Sequence, residues 1–279
     1  MNGFTVIARV PMVLAAVISI FAAMAAAQKT RESTYTVGPK AIISVTNNYG
    51  SITVKSSGNG QVIVKAVSQS DAVSFENEQH GNRIELRSRS RTPGTGIAEY
   101  TVFVPKDSSV FLRSVGGALR AEGLNGDVVL EAATASVEVR DISDAHLHVK
   151  TLSGPITLTD IRNSHLEAHS VSGNVNLHNV TGSSVEVNSG GGRITYDGDP
   201  GVAGEYALTS HSGDLEVSIP ADALVEIKAR SLNGEVEQGS NSGGTSGNGQ
   251  RRLLLGSGIS SVSRFVLRSF RGNIRLKRP

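Results

Sequence analysis

The chain has 279 residues, with 31 glycines, no cysteine, no tryptophan, and seven Phe and five Tyr. So much glycine with so few large side chains excludes a helix-rich globule around one thick core. The missing thiols exclude a disulfide framework, a thiolate metal site, a cysteine nucleophile and a lipoprotein anchor. Lys+Arg (27) and Asp+Glu (25) nearly balance, but unevenly along the chain: residues 251–279 carry +8 with no acid, and residues 28–250 carry −7.

Residues 1–27 hold a single charge, Arg9, then an apolar stretch from Val10 to Ala25-Ala26-Ala27. A positive start, an apolar centre and a small-residue site predict a cleaved export signal. The alternative is a retained anchor helix, since Val10–Ala27 is long enough to span a bilayer. Either way the body is expected outside the cytoplasm: periplasmic, in the cell envelope or extracellular. No later apolar stretch approaches spanning length.

Residues 28–108 are expected to form a β-rich N-terminal cap with a first coil. AIISVTNNYGSITV (41–54) alternates like a coil and QVIVKAV (61–67) like a strand. The segment 72–88 predicts a hairpin turning at His80-Gly81-Asn82, and AEYTVFVP (98–105) a strand leading into the coils.

From residue 109 a short unit recurs: alternating apolar residues, a small-residue corner, then alternation again. Examples are LHVKTLSGPITL (147–158), LEAHSVSGNVNL (166–177) and FVLRSFRGNIRL (265–276). The corners fall at Gly117, Ala135, Gly154, Gly173, Gly192, Gly213, Gly234 and Gly272, spaced 18, 19, 19, 19, 21, 21 and 38. Each half-unit is a half-buried strand, and glycine at the corner gives freedom for a sharp turn. A second corner follows each pair with its own plug: Ile142, Ile161, Val180. Two strands and two corners in nineteen residues predict one coil of a β-solenoid. The alternative is an antiparallel sandwich of hairpins, but NG and DG turns do not recur at the corners. The fold class is therefore all-β: a solenoid of two-strand coils over 109–279, in which Leu147, Leu166 and Val185 form one inward ladder. QGSNSGGTSGNGQ (238–250) is expected as a flexible loop that accounts for the doubled last spacing.

These coils resemble a bacterial family of candidate adhesin domains of unknown function. The resemblance covers roughly residues 40–278 and rests on Asn48-Tyr49-Gly50-Ser51-Ile52, Val104-Pro105-Lys106-Asp107, the Ser-Gly-x-Ile/Val corners, Gly256-Ser257-Gly258 and Arg271-Gly272-Asn273-Ile274. It implies an exported β-solenoid and supplies no catalytic residues.

Six of seven histidines fall between 146 and 211. The period places His146 beside His165 and His148 beside Glu167 on an outer face. Imidazoles with a carboxylate are a candidate metal cluster; the alternative is a polar solvent face that tolerates His. No HExxH, no calcium-binding nonapeptide and no G-x-S-x-G occurs. No catalytic residue and no cofactor is expected. A carbohydrate-active enzyme on this scaffold needs two carboxylates opposed across a groove, and nothing marks out Glu167, Glu186, Glu216 or Glu235 for that task.

The expected function is a non-enzymatic, rigid envelope scaffold that presents Thr157, Asn176, Thr195, Glu216 and Glu235 to an envelope protein or a cell-surface polymer. End-to-end assembly is a further alternative. The basic C-terminal end (Arg264, Arg268, Arg271, Arg275, Lys277, Arg278) is expected either to meet an anionic surface or to be a solvated terminal face. Nucleic acid is excluded by the few aromatics and the predicted export.

Overall fold

The computed structural model describes residues 29–278 except 59, 69, 92–95, 240–246 and 256–261. The predicted export signal lies outside the described residues. The described chain contains 23 strands and no helix.

The repeat produces strand pairs, one pair per coil. They are β8 (Ser109–Gly116) and β9 (Ala118–Glu122), β10 (Val128–Ala132) and β11 (Ser136–Ser143), β12 (His146–Thr151) and β13 (Ile156–Arg162). Next come β14 (His165–Ser170) and β15 (Val175–Val180), β16 (Ser184–Ser189) and β17 (Ile194–Asp197), β18 (Glu205–Ser210) and β19 (Leu215–Ser218). Each strand pairs in parallel with its equivalent in the next coil. Leu147 is in register with Leu166, and Leu166 with Val185, as the alternation predicts. The interior is a stack of aliphatic ladders with residues such as Val149, Ile156, Leu158, Leu166 and Val175 wholly buried. The second-corner plugs form their own ladder, Ile142–Ile161–Val180, also buried.

The two corners work by different physics. At the first, Gly154, Gly173, Gly192, Gly213 and Gly272 do not have a positive φ. Glycine is required there by close approach: a Cβ on Gly192 would lie 2.0 Å from the Gly173 carbonyl oxygen, and one on Gly154 would lie 1.8 Å from that of Ala135. A preceding Ser or Thr hydroxyl accepts the glycine N–H, as Thr151 does for Gly154 and Ser189 for Gly192 (3.0 and 2.9 Å). The turning itself is done at the second corner by Asp141, Asp160 and Asn179, stacked in register with φ of 51–54°. Asp and Asn tolerate the left-handed region better than other side-chain-bearing residues. The expectation that the glycines supply the turn holds at Gly117, with φ of 109°, and is corrected at the five glycines above.

Both ends depart from chain order. At the N-terminal end, β2 (Ile42–Tyr49) and β3 (Ile52–Ser57) form a coil beneath β8 and β9. Outside that coil lie β6 (Arg83–Ser90) and β7 (Ala98–Pro105), which follow it in sequence. The level is closed by antiparallel strands: β5 (Val73–His80) on β6, turning at Gly81-Asn82 as expected, and β4 (Gln61–Ser68) on β7 with β1 (Lys29–Thr36) on β4.

At the other end, β20 (Val225–Gly239) does not stack on β18 and β19. That place is taken by the last coil, β22 (Ser263–Ser269) and β23 (Ile274–Lys277). β20 lies outside it and is capped by antiparallel β21 (Gly247–Leu255). The doubled spacing is therefore the length of an outward excursion and return. Of the expected loop 238–250, residues 238 and 239 end β20, and 247–250 open β21. The rest, 240–246, lies outside the described residues.

Candidate functional site

Outward residues also stack. On the first strand of each coil the column next to the corner runs Arg113, Glu131, Lys150, His169, Asn188, Thr209, Arg268, Arg230. Two positions on, the corner itself carries Val115, Ala133, Leu152, Val171, Gly190, His211, Phe270 and Leu232. Its backbone is tied level to level: Ser153 N–H to Ala133 O at 2.9 Å, Ser172 to Leu152 at 2.9 Å, Gly191 to Val171 at 2.9 Å and Arg271 to His211 at 3.0 Å. Five members of this corner column are apolar and exposed, on either side of Gly190 and His211: Leu152 59%, Val171 60%, Leu232 54%, Val115 43% and Phe270 39%. Eight levels at about 4.8 Å make a straight ridge roughly 34 Å long.

The ridge exists because the corner sequence is Ser/Thr–x–x–Gly. The Ser or Thr turns inward to the corner glycine, the glycine seals against the coil below, and the residue after the Ser or Thr must point out. In Thr151-Leu152, Ser170-Val171, Ser231-Leu232 and Ser269-Phe270 that residue is apolar. Between ridge and charged column lie two adjoining grooves, one of about 580 Å³ at Leu152, Val171 and Gly190 and one of about 400 Å³ at His211, Leu232 and Phe270; both are lined by Asn188 and Ser189. Phe270 stacks on His211 with centroids 5.0 Å apart, and the Arg271 guanidinium carbon lies 6.0 Å from the Phe270 ring centroid.

The predicted histidine cluster assembles as the register requires. His146 meets His165 edge to face at 5.8 Å between centroids, and His148 Nδ1 lies 3.0 Å from Glu167 Oε2. His165 Nε2 is 3.4 Å from Glu167 Oε1, and these contacts, His165 foremost, hold the Glu167 carboxyl below its usual range. His146 faces Asp127, with Nδ1 3.5 Å from Oδ1. Among the described residues no group of three or more His, Asp or Glu is arranged to hold a metal ion. The cluster is a hydrogen-bonded surface array that also takes in His169, its ring centroid 6.0 Å from that of His148.

The second strands carry the other expected face. Thr157, Asn176, Thr195 and Glu216 stack in register, but the next member is Arg275 and then Glu237; Glu235 is not in the column. The recess at its N-terminal end, about 510 Å³, is lined by Glu122 and Glu138. Both acids are ion-paired, with Lys55 at 3.0 Å and Arg120 at 2.9 Å.

The basic C-terminal residues divide. Because β22 and β23 lie between acid-bearing strands, Arg264 pairs with Glu205 and Glu226, Arg275 with Asp214 and Glu237, and Lys277 with Glu216. Arg278 donates to the Pro220 and Ala223 carbonyls. Arg268 and Arg271 face no carboxylate among the described residues, and both border the apolar ridge. Arg230 shares that condition, whereas Lys150 on the same column is in register with Glu131.

Sequence reasoning saw the ridge residues only as members of corners. The available signal was the apolar residue after Ser or Thr, in places where solvent-facing turns are ordinarily polar.

A family model described as Toastrack DUF4097 matches residues 41–277. No curated protein matches. A candidate adhesin of Bacteroides fragilis is 16% identical over 89% of this chain and 97% of its own, with a TM-score of 0.47. A candidate cell adhesion protein of Clostridium sporogenes is 14% identical over 90% and 100%, with a TM-score of 0.24. A candidate lipid-binding protein of Parabacteroides distasonis is 12% identical over 88% and 96%, with a TM-score of 0.42.

Proposed function

The chain belongs to the Toastrack DUF4097 family, and from that premise and the ridge geometry we propose that it is an exported, non-enzymatic envelope scaffold that docks along one edge. The observation that carries this reading is the column of exposed apolar side chains, interrupted by Gly190 and His211, on a framework whose corner backbone is hydrogen-bonded between coils. Contiguous exposed apolar surface marks interaction sites. A solenoid holds such a column rigid, so little ordering is lost on contact.

The edge is a better docking surface than the Thr157–Asn176–Thr195 face, where the acids at both ends are neutralised by neighbouring cations. The same pairing argues against a glycosidase, which needs an acid kept protonated and a partner kept free.

Site-specific photocrosslinking in the producing cell tests this reading. A benzophenone side chain at Leu152 or Val171 should give discrete adducts, and one at Thr157 or Asn176 should not. Adducts concentrated at Thr157 and Asn176, with none at the ridge, would overturn it.

A further inference from the structure

The ridge and the cations beside it together specify a ligand chemistry. Elsewhere on the first strands cations meet acids of neighbouring levels: Arg264 lies between Glu205 and Glu226, and Arg113 beside Glu131. That pairing stops beside Phe270 and Leu232. Arg268 and Arg230 are in register on adjacent levels, like charge beside like charge. Arg271 stands on the corner just past Phe270, and Lys150 lies further along the Arg268 column, next to Glu131. Arg230, Arg268 and Arg271 face no carboxylate among the described residues, in a chain whose first 223 residues after the predicted signal are net acidic. On the other side of the ridge Arg271 stands in a column that is otherwise neutral, with Thr134, Ser153, Ser172, Ser212 and Asn233.

Resting on the docking reading above, we propose that the ridge lies on an anionic phospholipid surface. Val115, Leu152, Val171, Phe270 and Leu232 enter the headgroup boundary, and Arg230, Arg268 and Arg271 meet lipid phosphates. Aliphatic side chains in a line bury well among acyl chains, and cations beside them are drawn to anionic headgroups. A sugar polymer fits less well: it is bound by aromatic platforms, and the one exposed ring on the ridge is already stacked on His211. An added protein strand fits less well because the corner amides are bonded between coils.

Co-sedimentation of the full chain with vesicles tests this. One set is phosphatidylcholine alone and the other an equal mixture of phosphatidylcholine and phosphatidylglycerol. The mixed vesicles should bind more tightly, and added salt should erase the difference. Replacing two cations, Arg268→Gln with Arg271→Gln, should weaken binding to the mixed vesicles by roughly 25-fold, at about fivefold per charge. Leu152→Ser with Val171→Ser should weaken it roughly tenfold on both vesicle types. Arg162→Gln, on a remote exposed corner, controls for charge, and unchanged urea midpoints control for folding.

Any binding by residues 1–27 is common to all variants and is insensitive to these substitutions. Equal binding to both vesicle types, or mixed-vesicle binding unmoved by the ridge and arginine variants, overturns the lipid assignment. If the vesicle assay fails while ridge crosslinks to a protein persist in cells, the lipid assignment falls and the docking reading stands.

Discussion

Phe265 lies flat on Tyr206, ring centroids 4.4 Å apart and planes within 9°, although the whole β20–β21 excursion separates them in sequence. Tyr196 meets both rings edge-on at 5.5 and 5.2 Å. The three are wholly buried, in a core whose other buried rings are the Phe75–Tyr100 pair at the N-terminal end. This cluster sits where the returning chain is inserted, so it acts as the lock for the last coil. Phe265→Ala should cost about 3–5 kcal/mol in urea unfolding, the usual range for removing a buried ring.

The same cluster makes stability fall in alkali. Burial pushes the Tyr206 phenol up to about 12 and that of Tyr196 higher still. Their hydroxyls donate to carbonyls, Tyr206 to Pro200 at 2.7 Å and Tyr196 to Val180 at 3.0 Å. Below pH about 10 both native and unfolded phenols are protonated, and stability is full. Above it the unfolded chain gives up protons that the native chain retains, so stability falls as pH rises toward 12. Urea midpoints should be level from neutrality to about pH 10 and then drop, and Tyr206→Phe should lessen the drop without abolishing it, because burial raises Tyr196 and Tyr100 as well.

Close approach at the corners predicts a sharp contrast between glycines. Gly192→Ala places a methyl group 2.0 Å from the Gly173 carbonyl oxygen and should cost about 1–3 kcal/mol or more. Gly58→Ala, with open space around it, should change stability by less than about 0.5 kcal/mol. Equal effects in denaturant titration would contradict the corner account.

The inward ladder predicts a distributed core. Leu166 is wholly buried between Leu147 and Val185. Leu166→Ala should cost about 2–5 kcal/mol. Because coils contact chiefly their neighbours, the loss should accelerate amide exchange most in the coils on either side of it.

The coil stack, the N-terminal hairpin and the histidine–glutamate square were legible in the sequence, because register in a parallel ladder follows directly from a constant period. Leu147, Leu166 and Val185 needed only counting. The position of the last coil was not legible from period alone, since an excursion and return preserves the spacing. Charge held the missing signal. The basic unit with Arg264, Arg275 and Lys277 matches acids at equivalent positions in two other units, Glu205 and Glu216 on one side and Glu226 and Glu237 on the other. The ridge was hidden for a related reason: exposure at a corner depends on which way one Ser or Thr turns, and alternation does not report that.

The insertion of the last coil beneath β20 is the relationship on which the cation placement, and with it the docking surface, depends. The chain has no cysteine of its own, so engineered pairs give a clean measurement. Ala207 is in register with Val266, and Val266 with Lys228. Ala207→Cys with Val266→Cys should oxidise readily to a disulfide within the monomer. Ala207→Cys with Lys228→Cys should not, because two levels separate the pair by about 9–10 Å, beyond disulfide reach. Efficient cross-linking of Ala207→Cys to Lys228→Cys, with none to Val266→Cys, would show the coils stacked in chain order and would contradict the account.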